Sequence, residues 1–459
     1  MRSWWSRRDG SPAAGSLAAG AEPEVRQAPF SAGAPGRRGE PLPRAVRVLA
    51  VVAFCVAAGF GIAAPAIPVF ARSFGVSRTE ASAVVSVFAA ARLLSAPLAG
   101  RLLNRFSERL VLLTGLLVVS ASSAAAGFAT AYPQLLFYRG LGGTGSAMFT
   151  TAATALLLRS VSPAARGRAQ GAFSGGFLLG GVSGPALGGF VTAISPRAPF
   201  FVYAVTLGAA AAVAAVALPR ARGVETEAGA TAEEPARLRA ALRLSAYRAV
   251  LATQFAQSWS SLGVRTALVP LLVTETLARS STWTGVAFVA FSLANAASLT
   301  VAGRATDTAG RRPVLLAGTV VASVAAGLLA VPLGGVPGLV LLIGALAVAG
   351  AAGGLLSVAP AAVLGDVLGA RRGGPLVATY SMAGDLGVMT GPLLAGALAD
   401  TVGIRYGFAL TALVLAGAAL ACRAAPETRP APAGEGSPPM GSPLRDSPPI
   451  VVGSPPARP

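Results

Sequence analysis

Between residues 45 and 423 the chain alternates long apolar runs with short turns that carry arginine. The runs are continuous, built mostly from Ala, Val, Leu and Gly, and show no period of two. A membrane strand would alternate apolar and polar positions, so a closed β-barrel is excluded. Twelve runs are long enough to cross about 30 Å of hydrocarbon as helices. They lie near 46–70, 82–103, 110–130, 133–158, 168–193, 198–218, 248–274, 283–303, 313–332, 338–363, 375–399 and 404–423. The longest internal polar stretch, ETEAGATAEEPARLRAALR, falls between runs 6 and 7. The prediction is an all-α membrane protein of twelve transmembrane helices in two six-helix, pseudo-symmetric halves. These are residues 45–218 and 248–423, joined by a linker at 219–247.

The flanks read differently. Residues 1–44 are rich in Pro, Gly, Ala and Arg and read as a disordered, basic cytoplasmic tail. No apolar segment opens the chain, so no cleavable signal peptide is expected. Residues 424–459 are rich in Pro, Ser and Gly and read as a second disordered tail.

Composition narrows the class. Charged residues make up 12% of the chain, against about 25% in soluble proteins. The net charge is +19, and all 37 basic residues are arginine. A basic balance can signal nucleic acid, but here most arginines sit between apolar runs, which points to topology. With both termini in the cytoplasm, the inward loops hold seventeen Arg against five outside (Arg72, Arg78, Arg197, Arg279 and Arg405). That is the positive-inside asymmetry of a multi-pass protein in the cell membrane. The chain has no His, and Cys55 and Cys422 lie in apolar runs, so neither a metal site nor a disulfide framework is expected. A phosphate loop of the G-x-x-x-x-G-K-[ST] type cannot occur without Lys, so ATP-driven transport is not encoded. No cofactor is expected, and an enzyme is the least favoured class.

One repeat marks the two halves. GRLLNRFSER, Gly100 to Arg109, and GRATDTAGRR, Gly303 to Arg312, each follow one long apolar run and precede another. Short basic turns at equivalent places in two halves indicate a duplicated membrane protein. With these turns after runs 2 and 8, the chain resembles the major facilitator superfamily, whose turn reads roughly G-x-x-x-D-R-x-G-R-R/K. The second copy keeps Gly303, Asp307, Gly310, Arg311 and Arg312. The first keeps Gly100, Arg105 and Arg109, but has Asn104 for Asp, Ser107 for Gly and Glu108 for Arg. The resemblance implies a latch. An acid at one helix end pairs with Arg and a facing helix N-terminus in one access state and lets go in the other. The bland alternative is that these arginines only set topology.

Two further motifs extend the resemblance. YRGLGGTG places Arg139, Gly143 and Gly145 in the family's R-x-x-x-G-x-G pattern of span 4, which the family links to proton coupling. Snorkelling of Arg139 is the alternative. GGVSGPALGG in span 5 places Gly180, Gly184, Pro185, Gly188 and Gly189 in a signature that resembles drug/proton antiporters. Span 11 repeats it as Gly387, Gly391, Pro392 and Gly396. Glycines four apart let helices approach closely, and the expectation is that span 5 seals against span 8.

Asp385 lies near the middle of span 11, and a charge there is expensive. It is a candidate proton carrier, together with Arg139. The alternatives are a structural salt bridge, to Arg265 or Arg139, and polar packing. Arg92, Tyr138, Gln254, Gln257, Trp259, Arg265, Asn295 and Tyr380, with Phe60, are candidate cavity-lining groups; Arg92 would suit an anionic group. Few hydrogen-bonding groups in an apolar cavity suit amphipathic compounds better than sugars. The expected activity is secondary active transport, proton-coupled efflux of small amphipathic drugs or metabolites by alternating access. The alternatives are a proton symporter for uptake of a metabolite, and a non-transporting sensor or scaffold. Expected partners are the small-molecule substrate, protons and the lipid bilayer, with no nucleic acid and a monomer as the working unit.

Overall fold

The structure, a computed structural model, describes residues 42–161, 165–218, 238–368 and 374–428. Nearly all of the two expected tails, and the first part of the linker, lie outside the described residues. Among those described, every regular element is helical. The spans are α1 (Arg44–Arg72), α2 (Arg78–Arg105), α3 (Glu108–Gly127), α4 (Tyr132–Arg159), α5 (Arg166–Ile194) and α6 (Ala198–Ala217). The second six are α7 (245–276), α8 (Thr282–Thr308), α9 (Arg311–Leu329), α10 (Gly335–Leu368), α11 (Gly374–Thr401) and α12 (Ile404–Arg423). Leu238–Ala241 adds one helical turn before α7.

Eleven of these are helices long and apolar enough to cross a membrane. The twelfth, α7, is broken into α-helical pieces by π-helical turns at Trp259–Val264 and Leu272–Thr276. Counting α7 gives the expected twelve; the apolar run showed the span but not its breaks. Helices outlast the apolar runs where polar groups cap them. α2 begins at Arg78 because Ser77 and Glu80 form a reciprocal capping box. α9 begins after Gly310, whose φ of 106° suits glycine.

The packing repeats between halves. α1 lies against α5 and α6, α2 against α4, and α3 against α4 and α6. In the same order, α7 lies against α11 and α12, α8 against α10, and α9 against α10 and α12. α2 against α11 and α5 against α8 join the halves. Each half has its own apolar core, around Leu112, Phe149 and Leu207 in the first and around Leu268, Phe288 and Phe408 in the second. A further cluster of Ile67, Phe70, Val84 and Phe200 reaches Ala267 of α7.

The glycine motif serves two partners, α1 of its own half and α8 of the other. A methyl group on Gly180 would lie 2.3 Å from the Phe54 carbonyl oxygen, and one on Gly184 would lie 2.3 Å from that of Ala58. One on Gly188 would lie 2.6 Å from that of Ile62. The ridge at i, i+4 and i+8 therefore beds α5 onto α1, inside its own half. Gly189, about 100° round the helix, faces α8, and a methyl there would lie 2.6 Å from Gly285 Cα. α11 repeats the division: Gly387 and Gly391 meet Phe255 and Trp259 of α7, while Gly396 meets Ser82 of α2.

Candidate functional site

Between the halves lies a cavity of about 580 Å³, within the size range of small-molecule sites. Helices of both halves each line it with one face, among them α2 with Val85, Phe88, Ala89 and Arg92, and α8 with Phe288, Phe291, Ser292 and Asn295. α11 gives Ser381, Gly384, Asp385 and Val388, and α7 gives Gln254, Ser258, Leu262 and Arg265. Positions i, i+3 or i+4, and i+7 share one helix face. The π-turn on α7 ends at Val264, and Arg265 Nε donates to the Ser261 carbonyl within it at 2.8 Å. π-turns recur at functional sites for this kind of re-aiming.

Charge in the cavity is concentrated in four groups. Arg92 Nη2 lies 2.8 Å from Asp385 Oδ1, joining α2 of one half to α11 of the other. The salt-bridge alternative for Asp385 named Arg265 or Arg139 as partner; Arg92 takes that place because the α2–α11 crossing sets its neighbour. Arg139 is not snorkelling: it is 3% exposed, with its Cζ 4.6 Å from the Phe88 ring centre. Its Nε is buried without a hydrogen-bond partner. Arg265 stacks its Cζ 3.7 Å from the Phe291 ring centre. Gln254, Asn295 and Phe60 line the wall.

Tyr138, Gln257, Trp259 and Tyr380 do not line the cavity. Trp259 is buried in the second half and donates from Nε1 to Thr411 Oγ1 at 3.2 Å. Gln257 turns toward Gly353 of α10. Tyr138 packs with the Phe70 cluster and Tyr380 with the Tyr247 cluster. Arg139 and Ser381 face inward, so the adjacent tyrosines, about 100° round each helix, face elsewhere. Ser258, Ser381 and Tyr203 also line the wall and were not singled out; the i+4 spacing from Gln254 was the signal for Ser258.

One end of the cleft is clasped. Glu275 of α7 accepts from Arg72 Nε at 2.7 Å and from Arg78 Nε at 2.8 Å. Asp400 of α11 accepts the backbone N–H groups of Arg78 and Thr79 at 2.9 and 2.8 Å, and the Thr79 hydroxyl at 2.6 Å. It therefore caps α2 across the interface, a favourable place for a carboxylate. At the other end the repeated turns are tied within their halves. Arg311 bonds Asp366 at 3.2 Å and Asp307 at 3.3 Å, and Glu427 accepts the Arg311 and Arg312 backbone N–H groups. In the first copy Glu108 pairs with Arg159, and Arg109 donates to the Ala215 carbonyl. Asp307 is 78% exposed, and Asn104 and Arg105 are exposed. A methyl on Gly100 or Gly303 would meet nothing within 4 Å.

Two pseudo-symmetric helical halves around one amphipathic cavity, clasped at one end, are the build of a membrane transporter rather than an enzyme. The model of the Major Facilitator Superfamily matches residues 49–272 and again 250–453. The chain belongs to that family. It is 32% identical over 158 residues to multidrug resistance protein 2 of Bacillus subtilis, 34% of this chain and 39% of the relative. It is 27% identical over 187 residues to the quinolone resistance protein NorA of Staphylococcus aureus, 40% of this chain and 47% of the relative. The chain thus spans less than half the length of these curated relatives. Among solved structures, a bacterial homologue of the human lysosomal transporter Spinster, inward-facing and unoccupied, superposes with a TM-score of 0.68. Identity there is 16%, covering 84% of this chain and 98% of that one. The nucleoside transporter NupG gives 0.64 at 12% identity, covering 83% and 98%. These two likenesses are of fold.

Proposed function

We propose that the chain is a secondary active transporter that exports small amphipathic compounds across the cell membrane in exchange for protons. The observation that carries this is the Arg92–Asp385 pair, which bridges the two halves at the cavity wall. A proton on Asp385 cancels its charge, frees Arg92 and loosens the α2–α11 crossing. The halves then rock about the cavity, and the clasped and open ends exchange. With both termini in the cytoplasm, the repeated turns face inward and Glu275 faces outward. The state is then the inward-facing one, with the outer clasp made and Asp307 exposed and paired with Arg311 of its own turn. The resistance proteins among the relatives support an amphipathic cargo and outward transport.

A second reading, proton symport, is favoured by one observation: guanidinium groups outnumber carboxylates in the cavity. An anionic cargo and a proton would favour each other's binding, and travel together. Inside-out vesicles with an acidified lumen separate the two. Exchange predicts that an added cargo makes the lumen more alkaline in wild type, and not in Asp385→Asn. Lumen acidification means symport. An equal response in wild type and Asp385→Asn removes Asp385 from coupling.

A further inference from the structure

Among the described residues the cavity wall carries three guanidinium groups, Arg92, Arg139 and Arg265, and one carboxylate, Asp385. Arg92 and Asp385 satisfy each other at 2.8 Å. Arg139 and Arg265 have no carboxylate partner among the described residues. Arg139 is 3% exposed, and its Nε has no hydrogen-bond partner. Arg265 has one bond, to the Ser261 carbonyl, and lies against Phe291. A ring face offsets part of a buried cation's lost hydration. It does not neutralise the charge, and an uncompensated charge at membrane depth is costly and functional by default. A cationic cargo entering this cavity would meet a charge balance of +2 and find the one acid already taken.

We infer that the cargo is an amphipathic organic anion, an acid group such as a carboxylate on an apolar aromatic body. The acid group completes the site at Arg139 and Arg265. A guanidinium presents two parallel N–H donors that match a carboxylate. The apolar body lies among Phe60, Phe88, Phe288 and Phe291, which share the same wall. Arg139 stands on α4 and Arg265 on α7, so the bound anion touches both moving halves. The inference rests on the cavity being the transport site. It names the ligand class and is tested by binding alone; by the coupling argued above, an anionic cargo favours the symport reading over exchange.

The test is equilibrium dialysis of the purified full chain in detergent with three probes sharing one ring system: naphthalene-1-acetate, 1-naphthylmethylammonium and 1-naphthylmethanol. The expected result is that the acetate binds at least about tenfold tighter than the other two. Arg139→Gln and Arg265→Gln each remove that preference. The wild-type ranking needs no variant to fold, and size-exclusion profiles qualify each variant. Tighter binding of the ammonium, equal binding of all three, or acetate binding unchanged in both arginine variants overturns the inference. The two readings fail separately. Acetate binding with no proton movement in vesicles keeps this inference and sinks proton coupling. Proton movement driven by the ammonium alone keeps transport and sinks this inference.

Discussion

Glu108 in the first turn of α3 pairs with Arg159 in the last turn of α4. The second half makes the equivalent contact with the charges exchanged, Arg311 on α9 with Asp366 on α10 at 3.2 Å. The departure of the first turn from the family pattern at Glu108 is therefore a charge reversal with a partner. The contact is repeated even though the residues are not.

Reversing Glu108 alone should be worse than reversing the pair. Glu108→Arg sets two guanidiniums together and lowers the melting temperature in detergent; adding Arg159→Asp restores most of the loss. The Arg159 side chain is 50% exposed, so the coupling stays below about 1 kcal/mol. Thermal unfolding of the four proteins in a double-mutant cycle checks it, and additive effects would refute the pairing.

The clasp at Glu275 should hold one end of the cleft shut. In a Cys55→Ala, Cys422→Ala background, Ser381→Cys reports access to the cavity. Glu275→Gln and Asp400→Asn are each expected to raise labelling by an impermeant maleimide from the Glu275 side. A rise of about tenfold corresponds to losing roughly 1.4 kcal/mol of closure. Unchanged labelling in both variants means the apolar cluster around Phe70 seals that end unaided.

The glycine motif should divide by partner. Gly184→Ala pushes against the Ala58 carbonyl inside the first half and should cost about 1–3 kcal/mol of stability. Gly189→Ala pushes α5 away from Gly285 of the other half. It should leave the melting temperature nearly unchanged while transport falls and labelling from the Glu275 side rises. Equal losses of stability in the two variants would contradict the division.

The latch residues should be silent in this state and active in the other. Asn104 and Asp307 are exposed, so Asn104→Asp and Asp307→Asn are each expected to shift stability by less than about 0.5 kcal/mol. Asn104→Asp should increase Ser381→Cys labelling from the Glu275 side, by favouring the state in which the latch is made. Asp307→Asn should decrease it. The same direction of change in both variants would rule out a latch.

Span number, span position and the doubled halves were legible in the residues alone. Lipid supplies no hydrogen bonds and admits only long apolar helices, so the chain must write its topology as runs of about 20 apolar residues. Arg92, Arg139, Arg265 and Asp385 were legible for the converse reason: a charge inside such a run is too expensive to be incidental. The azimuth of each side chain was not legible, because an apolar run in lipid has no polar face to show which side meets a neighbour. Trp259 and Gln257 therefore looked like cavity residues, and the glycine motif of α5 looked like one contact, to α8, rather than two. Asp385 found Arg92 rather than Arg265 because α2 and α11 meet across the two halves. The π-turns of α7 left no mark in the composition of their run, since they follow from backbone hydrogen bonds shifted by one residue. The chain alone determined which segments cross the membrane and where charge is buried within them. Only the packing of one half against the other decided which charges meet.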